Sequence, residues 1–407
     1  MSLRFCLVTT FYPPYNFGGD GVFVQRLANA LARRGHTVDV VHDVDAYRIS
    51  GGTEPAKSDQ DDPAITVHSL EHGGALDLVL SHQLGRPVGK RRRLKKILER
   101  GSFDVIHFHN ISLMGGPAVL RYGNALKLCT MHDYWYVCAT HVLWRMEREA
   151  CTMRTCIRCT LHAKRPPQWW RYLGTTSRAA QAVDGFITGS HFARHMLEAN
   201  GFSEPVEVLP LFVPDPKSDA TASSPVSDRP YFLYAGRLET LKGPQTLIPL
   251  FRDAQGPGLV IAGSGSREEA LRELAAGTEH IRFVGWQSGE HLRSLYRGAV
   301  AAVVPSLCYE TFGLSAVEAF AESTPVIARD FGALPEIVQH DRNGLLYRND
   351  EGLRDALERL THDHELRERL GQQARVDYES TYSEDRHMEL YFTLVQRLLD
   401  ERDGAKP

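Results

Sequence analysis

Ala301-Ala302-Val303-Val304-Pro305, followed shortly by Glu310-Thr311-Phe312-Gly313-Leu314-Ser315-Ala316-Val317-Glu318, reads as a buried strand, a loop and the opening of a helix. A strand that passes through a loop containing Gly313 into a helix offers backbone N–H groups to an anion. The first helical turn has donors without intrahelical acceptors and carries the positive end of the dipole. Glu310 precedes this helix and Glu318 lies more than a turn inside it. Carboxylates beside an anion site repel phosphate, so their natural partners are neutral hydroxyl groups. A ligand with both phosphates and sugar hydroxyls, such as a nucleotide sugar, meets both demands.

Upstream, Tyr231-Phe232-Leu233-Tyr234-Ala235 reads as another buried strand, and Gly236-Arg237-Leu238-Glu239-Thr240-Leu241-Lys242-Gly243 as the loop leaving its carboxyl end. Ligands of open α/β sheets bind at that end. Arg237 as a bidentate fork and Lys242 as a compact charge together can neutralise a diphosphate without a metal ion. The first half repeats the pattern. Phe5-Cys6-Leu7-Val8 leads into a loop with Gly18-Gly19, and Val24, Leu27 and Leu31 then recur at helical spacing until Gly35. Further strand-like runs at 37–41, 65–68, 104–109, 127–132 and 185–188, with helical patterns between several of them, predict an α/β fold with mostly parallel sheets.

These segments, with Arg34-Gly35-His36, Gly263-Ser264-Gly265, Phe283-Val284-Gly285, Thr324-Pro325-Val326-Ile327 and Asn343-Gly344-Leu345-Leu346, resemble family 4 of the retaining glycosyltransferases in order and spacing. The resemblance implies the GT-B architecture: two Rossmann-like domains facing across a cleft, with a C-terminal helix crossing back to the first. It also implies transfer of a sugar from a nucleotide-diphosphate donor to a hydroxyl of a glycan, lipid-linked or small-molecule acceptor, with retained anomeric configuration and no cofactor required. By the same resemblance His132 contacts the transferred sugar and Gly19 donates its N–H to the donor from across the cleft. Arg237 and Lys242 hold the diphosphate with the N–H groups of Phe312, Gly313 and Leu314. Glu310 accepts from a sugar hydroxyl, Glu318 accepts from the ribose, and the base lies against Phe283-Val284-Gly285-Trp286. His107 and His109 are left open between structural and acceptor-side roles. Two other classes share the architecture, a nucleotide-sugar epimerase and a non-catalytic sugar-nucleotide sensor; the complete set Arg237, Lys242, Glu310 and Glu318 favours transfer.

At 407 residues the chain fits two domains of ordinary size. The reading divides it into 1–213, a linker at 214–229 rich in Ser, Ala, Asp and Pro, a donor domain at 230–384, and a final segment at 385–407. Its 47 basic and 50 acidic side chains give a formal charge of −3, against a general nucleic-acid binder. No apolar run is long enough to span a membrane and the first residues show no cleavage site, which predicts a cytoplasmic protein. The basic run at 90–97 gives two readings, a solvated helix surface or a peripheral contact with an anionic membrane.

Cys138, Cys151, Cys156 and Cys159 cluster in a stretch at 138–171 that has many Arg residues, three tryptophans and little periodicity. In a cytoplasmic chain this spacing gives two readings, an insertion ordered by a structural zinc with four thiolate ligands, with His141 and His162 as substitutes for one of them, or unligated thiols or a redox pair. Its position directly after His132 predicts that it rims the acceptor side of the cleft.

Overall fold

The structure, a computed structural model, describes residues 2–53, 61–71, 73–215, 229–252 and 256–404. Most of the expected linker at 214–229 lies outside the described residues. Two parallel sheets form the frame. The first contains β1 (Arg4–Val8), β2 (Thr37–Asp43), β3 (Ile65–Leu70), β4 (Val105–Phe108), β5 (Leu126–Thr130), β8 (Gly185–Thr188) and β9 (Val206–Val208). A small antiparallel hairpin, β6 (Trp144–Arg145) with β7 (Glu149–Ala150), interrupts the series. The second contains β10 (Tyr231–Ala235), β11 (Gly258–Ala262), β12 (Ile281–Gly285), β13 (Ala301–Val304), β14 (Val326–Arg329) and β15 (Gly344–Tyr347).

Strand order is β3-β2-β1-β4-β5-β8-β9 in the first sheet and β12-β11-β10-β13-β14-β15 in the second. In each sheet the winding direction reverses once, between β1 and β4 and between β10 and β13. At such a reversal the loops leaving two neighbouring strands diverge to opposite faces and open a crevice. The central strands are apolar on both faces because helices cover both, so β1 reads Phe5-Cys6-Leu7-Val8 without alternation.

One hydrophobic cluster runs from the first sheet into the second. It passes through Phe23, Val24, Leu27 and Leu31 of the helix Gly19–Arg33, Val317 and Phe320 of the helix Leu314–Ala321, and Tyr391, Val395 and Leu398 of the helix Glu384–Gly404. The last helix is fixed to the first sheet by chemistry as well as packing. Tyr391 shares a hydrogen bond with His107 Nδ1 at 3.0 Å, and Glu384 accepts from Arg33 at 2.6 Å and Arg34 at 2.7 Å.

The basic run at 90–97 is not one charged face. Lys90 is buried, with its Nζ 2.5 Å from Asp43 and 2.9 Å from Asp45, and Leu94 and Leu98 are buried in the first domain. Arg91, Arg92 and Arg93 remain exposed. Among the described residues no helix is long and apolar enough to cross a membrane.

Candidate active site at the facing switch points

The loops leaving β10 and β13 meet at the reversal point of the second sheet, and they bring Lys242 to Glu310. Lys242 Nζ donates to Glu310 Oε1 at 2.6 Å, and Ser306 Oγ donates to the same oxygen at 2.5 Å. Burial pushes the Glu310 carboxyl up, but the Lys242 ammonium, the bond from Ser306 and the nearby Arg237 guanidinium outweigh it and hold the group below the usual carboxylate range. Glu310 is therefore an anion at neutral pH. Arg237 itself is exposed at the rim and makes no ion pair among the described residues.

Gly313 begins the helix Leu314–Ala321 at φ +135°, and a Cβ there would lie 2.9 Å from Leu334 Cδ2, so only glycine lets the loop turn into this helix. The N–H groups of Phe312, Gly313 and Leu314 make no hydrogen bond among the described residues. Trp286 is exposed just past β12, while the Val284 carbonyl of the expected base site is already engaged by Gln287 Nε2 at 2.7 Å.

The first sheet answers with its own reversal point. A Cβ on Gly19 would lie 3.2 Å from Leu314 Cδ1, so the amino-terminal ends of the helices Gly19–Arg33 and Leu314–Ala321 converge from opposite domains. Both direct the positive ends of their dipoles at the same space. Asp20 in the first of these helices accepts from Asn110 Nδ2 at 3.1 Å, which links the loops that follow β1 and β4.

His132, directly after β5, lines a small cavity with His109, Asn110, Asp133 and Trp135. Its Nε2 lies 3.0 Å from His109 Nδ1, one nitrogen donating and the other accepting. Burial lowers the His132 pKa, while Asp20 and Asp133 oppose this. His109 is held well below its ordinary value by burial and by the neighbouring histidines, and its Nε2 is buried without a partner among the described residues. His107 turns away to Thr130 at 2.8 Å and to Tyr391, which makes it structural. The question left open for the histidine pair thus divides: His107 belongs to the core and His109 to the cavity.

Glu318 differs in its surroundings from the sequence expectation. Arg26, on the helix Gly19–Arg33, donates to its Oε1 at 2.8 Å, and Tyr296 OH lies 3.4 Å from Oε2. Other contacts that the sequence reading missed also cross the cleft. Thr311 Oγ1 donates to the His132 carbonyl at 2.8 Å, and Ser190 Oγ to the Thr311 carbonyl at 2.7 Å. Glu336 accepts from the His191 and Phe192 N–H groups at 2.8 and 2.5 Å, capping from the second domain a helix (His191–Ala199) of the first. Ordinary Arg, Thr and Glu residues at these positions carry no local signal, since their partners lie 121 to 292 residues away.

The cysteine segment is better ordered than expected, with the β6–β7 hairpin and the helix Cys156–His162. Its four thiols lie near one another, since Cys138, Cys156 and Cys159 all act on Cys151, but among the described residues no group of three or more Cys, His, Asp or Glu side chains is arranged to hold a metal. Three of the four sulfurs make polar contacts within the segment. Cys138 Sγ lies 3.3 Å from Thr140 Oγ1, Cys151 Sγ 3.7 Å from the Met153 carbonyl, and Cys159 Sγ accepts from the Met146 N–H at 3.5 Å. Burial, followed by the neighbouring thiols, raises the pKa of Cys151 and Cys156. The Cys138, Cys151, Cys156 and Cys159 expected to hold zinc all lie in this one segment, without an arranged ligand set among the described residues. His141, offered as a substitute ligand, is engaged by Asp133 at 3.1 Å.

Residues 17–215 match the family model described as Glycosyltransferase Family 4, and residues 217–377 match the one described as Glycosyl transferases group 1. The chain is a family 4-like glycosyltransferase. An uncharacterized glycosyltransferase of Methanocaldococcus jannaschii is 26% identical to this glycosyltransferase over 410 residues, covering 94% of this chain and 95% of that one. A glycogen synthase of Mycobacterium tuberculosis is 28% identical over 408 residues, covering 92% and 89%. Among solved structures, sucrose-phosphate synthase of Thermosynechococcus elongatus superimposes with a TM-score of 0.73 at 23% identity, covering 98% of this chain and all (100%) of that one. Anabaena HepE, solved with UDP-glucose, gives 0.67 at 15% identity, covering 99% and 100%. These likenesses establish the GT-B fold of the glycosyltransferase.

Proposed function

We propose that this glycosyltransferase moves a sugar from a nucleoside-diphosphate donor to a hydroxyl acceptor with retention of configuration. The observation that carries the reading is the part-buried Lys242–Glu310 pair at 2.6 Å, in the loop that leads into N–H groups without a partner among the described residues, with the exposed Arg237 at the switch point of the second sheet. Lys242, Arg237 and the N–H groups of Phe312, Gly313 and Leu314 receive the diphosphate. Glu310, kept anionic, accepts from a hydroxyl of the transferred sugar. Glu318 accepts from the ribose while Arg26 holds its carboxylate in place, Trp286 packs against the base, and Gly19 approaches the donor from the facing domain. Solved neighbours carrying UDP and UDP-glucose support a nucleotide sugar as the donor class.

In the reaction, the bond from the anomeric carbon to the diphosphate oxygen breaks and the acceptor oxygen bonds to that carbon on the same face. The acceptor proton passes to the departing phosphate oxygen, so no separate protein base is needed. Charge growing on the leaving group meets donors already fixed in place, where such preorganised stabilisation is worth most. Neutral His132, braced by His109, hydrogen-bonds the transferred sugar and orients it.

Thermal-shift measurement with UDP, GDP and ADP, followed by donor hydrolysis assays with the corresponding sugars, tests this reading. A ligand that prefers the folded state raises the melting temperature by mass action. One nucleoside diphosphate should do so, and its sugar should be slowly hydrolysed when acceptor is absent. No shift with any of them, or release of an epimerised sugar, overturns it.

A further inference from the structure

The helix Gly74–Leu84 directs an apolar stripe outward. Leu76, Val79, Leu80 and Leu84 recur at three- and four-residue spacing, and all are exposed, Leu76 at 72%. The other face of the helix, with Leu78 and Ser81, is buried against the domain. The short helix Trp169–Leu173 continues the stripe. Trp170 Nε1 donates to the His82 carbonyl at 2.9 Å and its ring packs against Gly85, and this anchor leaves Trp169 and Leu173 exposed at 62% and 69%. A contiguous exposed apolar face of this kind marks an interaction surface.

The charges around it identify the partner. Arg86 follows the apolar helix, and Arg91, Arg92 and Arg93 start the helix Arg91–Arg100, whose approach folds back along the first through the Gly89 N–H to Asp77 bond at 2.5 Å. All four arginines are exposed, and none makes an ion pair among the described residues. An outward row of leucines with a tryptophan, rimmed by unpaired arginines, has the make-up of a face that lies in the interfacial zone of a bilayer. Indole rings favour that zone because one edge is polar and the body is apolar.

We infer that this face docks the enzyme on a bilayer bearing anionic headgroups. The contact is made by the stripe Leu76–Leu84 and Trp169, while the arginines supply attraction to the lipid phosphates. Trp135 lines the His132 cavity and lies 6.0 Å, ring centre to ring centre, from Trp170. The docking face therefore adjoins the acceptor side of the cleft, which suits an acceptor embedded in the same bilayer; this last step rests on the proposed transfer reaction.

The test is co-sedimentation of the full chain with vesicles of phosphatidylglycerol and phosphatidylcholine, compared with phosphatidylcholine alone, at low and high salt. Binding should require the anionic lipid and weaken with salt. The double variant L76Q/L80Q and the triple variant R91Q/R92Q/R93Q should each reduce it at least tenfold, with melting temperatures unchanged since every altered side chain is exposed. Absence of wild-type binding to anionic vesicles overturns the proposal. So does wild-type behaviour of both variants, or a stable dimer that L76Q/L80Q converts to monomer without any vesicle binding. The nucleoside-diphosphate thermal shift, measured on the same samples, separates the two readings: its retention without vesicle binding defeats docking alone, and its loss with vesicle binding intact defeats only the donor assignment.

Discussion

Arg26 in the first helix of the amino-terminal domain holds Glu318 of the second domain at 2.8 Å, across 292 residues of sequence. Both side chains are about four-fifths buried, at 19% and 20% exposure. The helices that carry them start side by side at Gly19 and Leu314, so the ion pair ties the two domains together. Because the carboxylate keeps free lone pairs after accepting from Arg26, it can hold a ribose hydroxyl and the arginine at once. Replacing Arg26 by Met should therefore raise the donor KM about tenfold, equivalent to ~1.4 kcal/mol, with a smaller change in kcat. A lowered KM would instead mean that Arg26 competes with the donor for Glu318.

Lys242 and Arg237 should separate by their surroundings. Either change to Ala should cut kcat by two to three powers of ten, since loss of one preorganised donor costs ~3 kcal/mol in the transition state. Only Lys242→Ala should also destabilise the fold, because it strands the buried Glu310 carboxylate, and uncompensated buried charges cost about 3 to 5 kcal/mol. Arg237, exposed and unpaired, should leave the melting temperature where it was. Full kcat in either variant removes the leaving-group role.

Acid should weaken the fold well before it reaches the carboxylates. Burial lowers His42, His82 and His387 from 6.5 to about 4 and takes His107 and His109 well below their ordinary value. As pH drops from 6.5 toward 4, the unfolded chain takes up protons that the folded chain refuses, so stability falls. Each such histidine contributes a slope of about 1.4 kcal/mol per pH unit within that window. Glu310 acts in the same direction but lower: its depressed folded pKa supplies stability above the unfolded value, lost only as pH falls through the folded one. Urea midpoints at pH 7 and pH 5 should differ clearly; equal midpoints would show that the histidines protonate in the folded protein.

Chelation should not slow transfer. On the proposed assignment of the diphosphate to Lys242, Arg237 and helix N–H groups, exhaustive treatment with EDTA should leave the rate unchanged for folded protein. Recovery of activity only on adding magnesium or manganese would contradict that assignment.

The architecture was legible in the sequence because parallel strands buried on both faces must be continuously apolar, and loops that turn into helices beside a ligand need glycine. Those local requirements exposed β1, β10 and β13, the Gly18-Gly19 and Gly313 turns, and the Arg237, Lys242 and Glu310 positions. The cysteine spacing was equally visible, but thiol spacing along a chain does not fix where the sulfurs point. The hairpin and short helix around them left each sulfur with a local contact or none.

Sequence alone determined parallel strands that end in glycine loops, because strand periodicity and turn chemistry act over a few residues, and the resemblance to family 4 added their division between two wound sheets. Only the tertiary structure decided that Arg26 meets Glu318, that Glu336 caps a helix of the opposite domain, and that His109 rather than His107 braces His132. Such pairings depend on how two rigid layers are rotated against each other, and that rotation is set by the sum of all the packing between them rather than by any short run of residues.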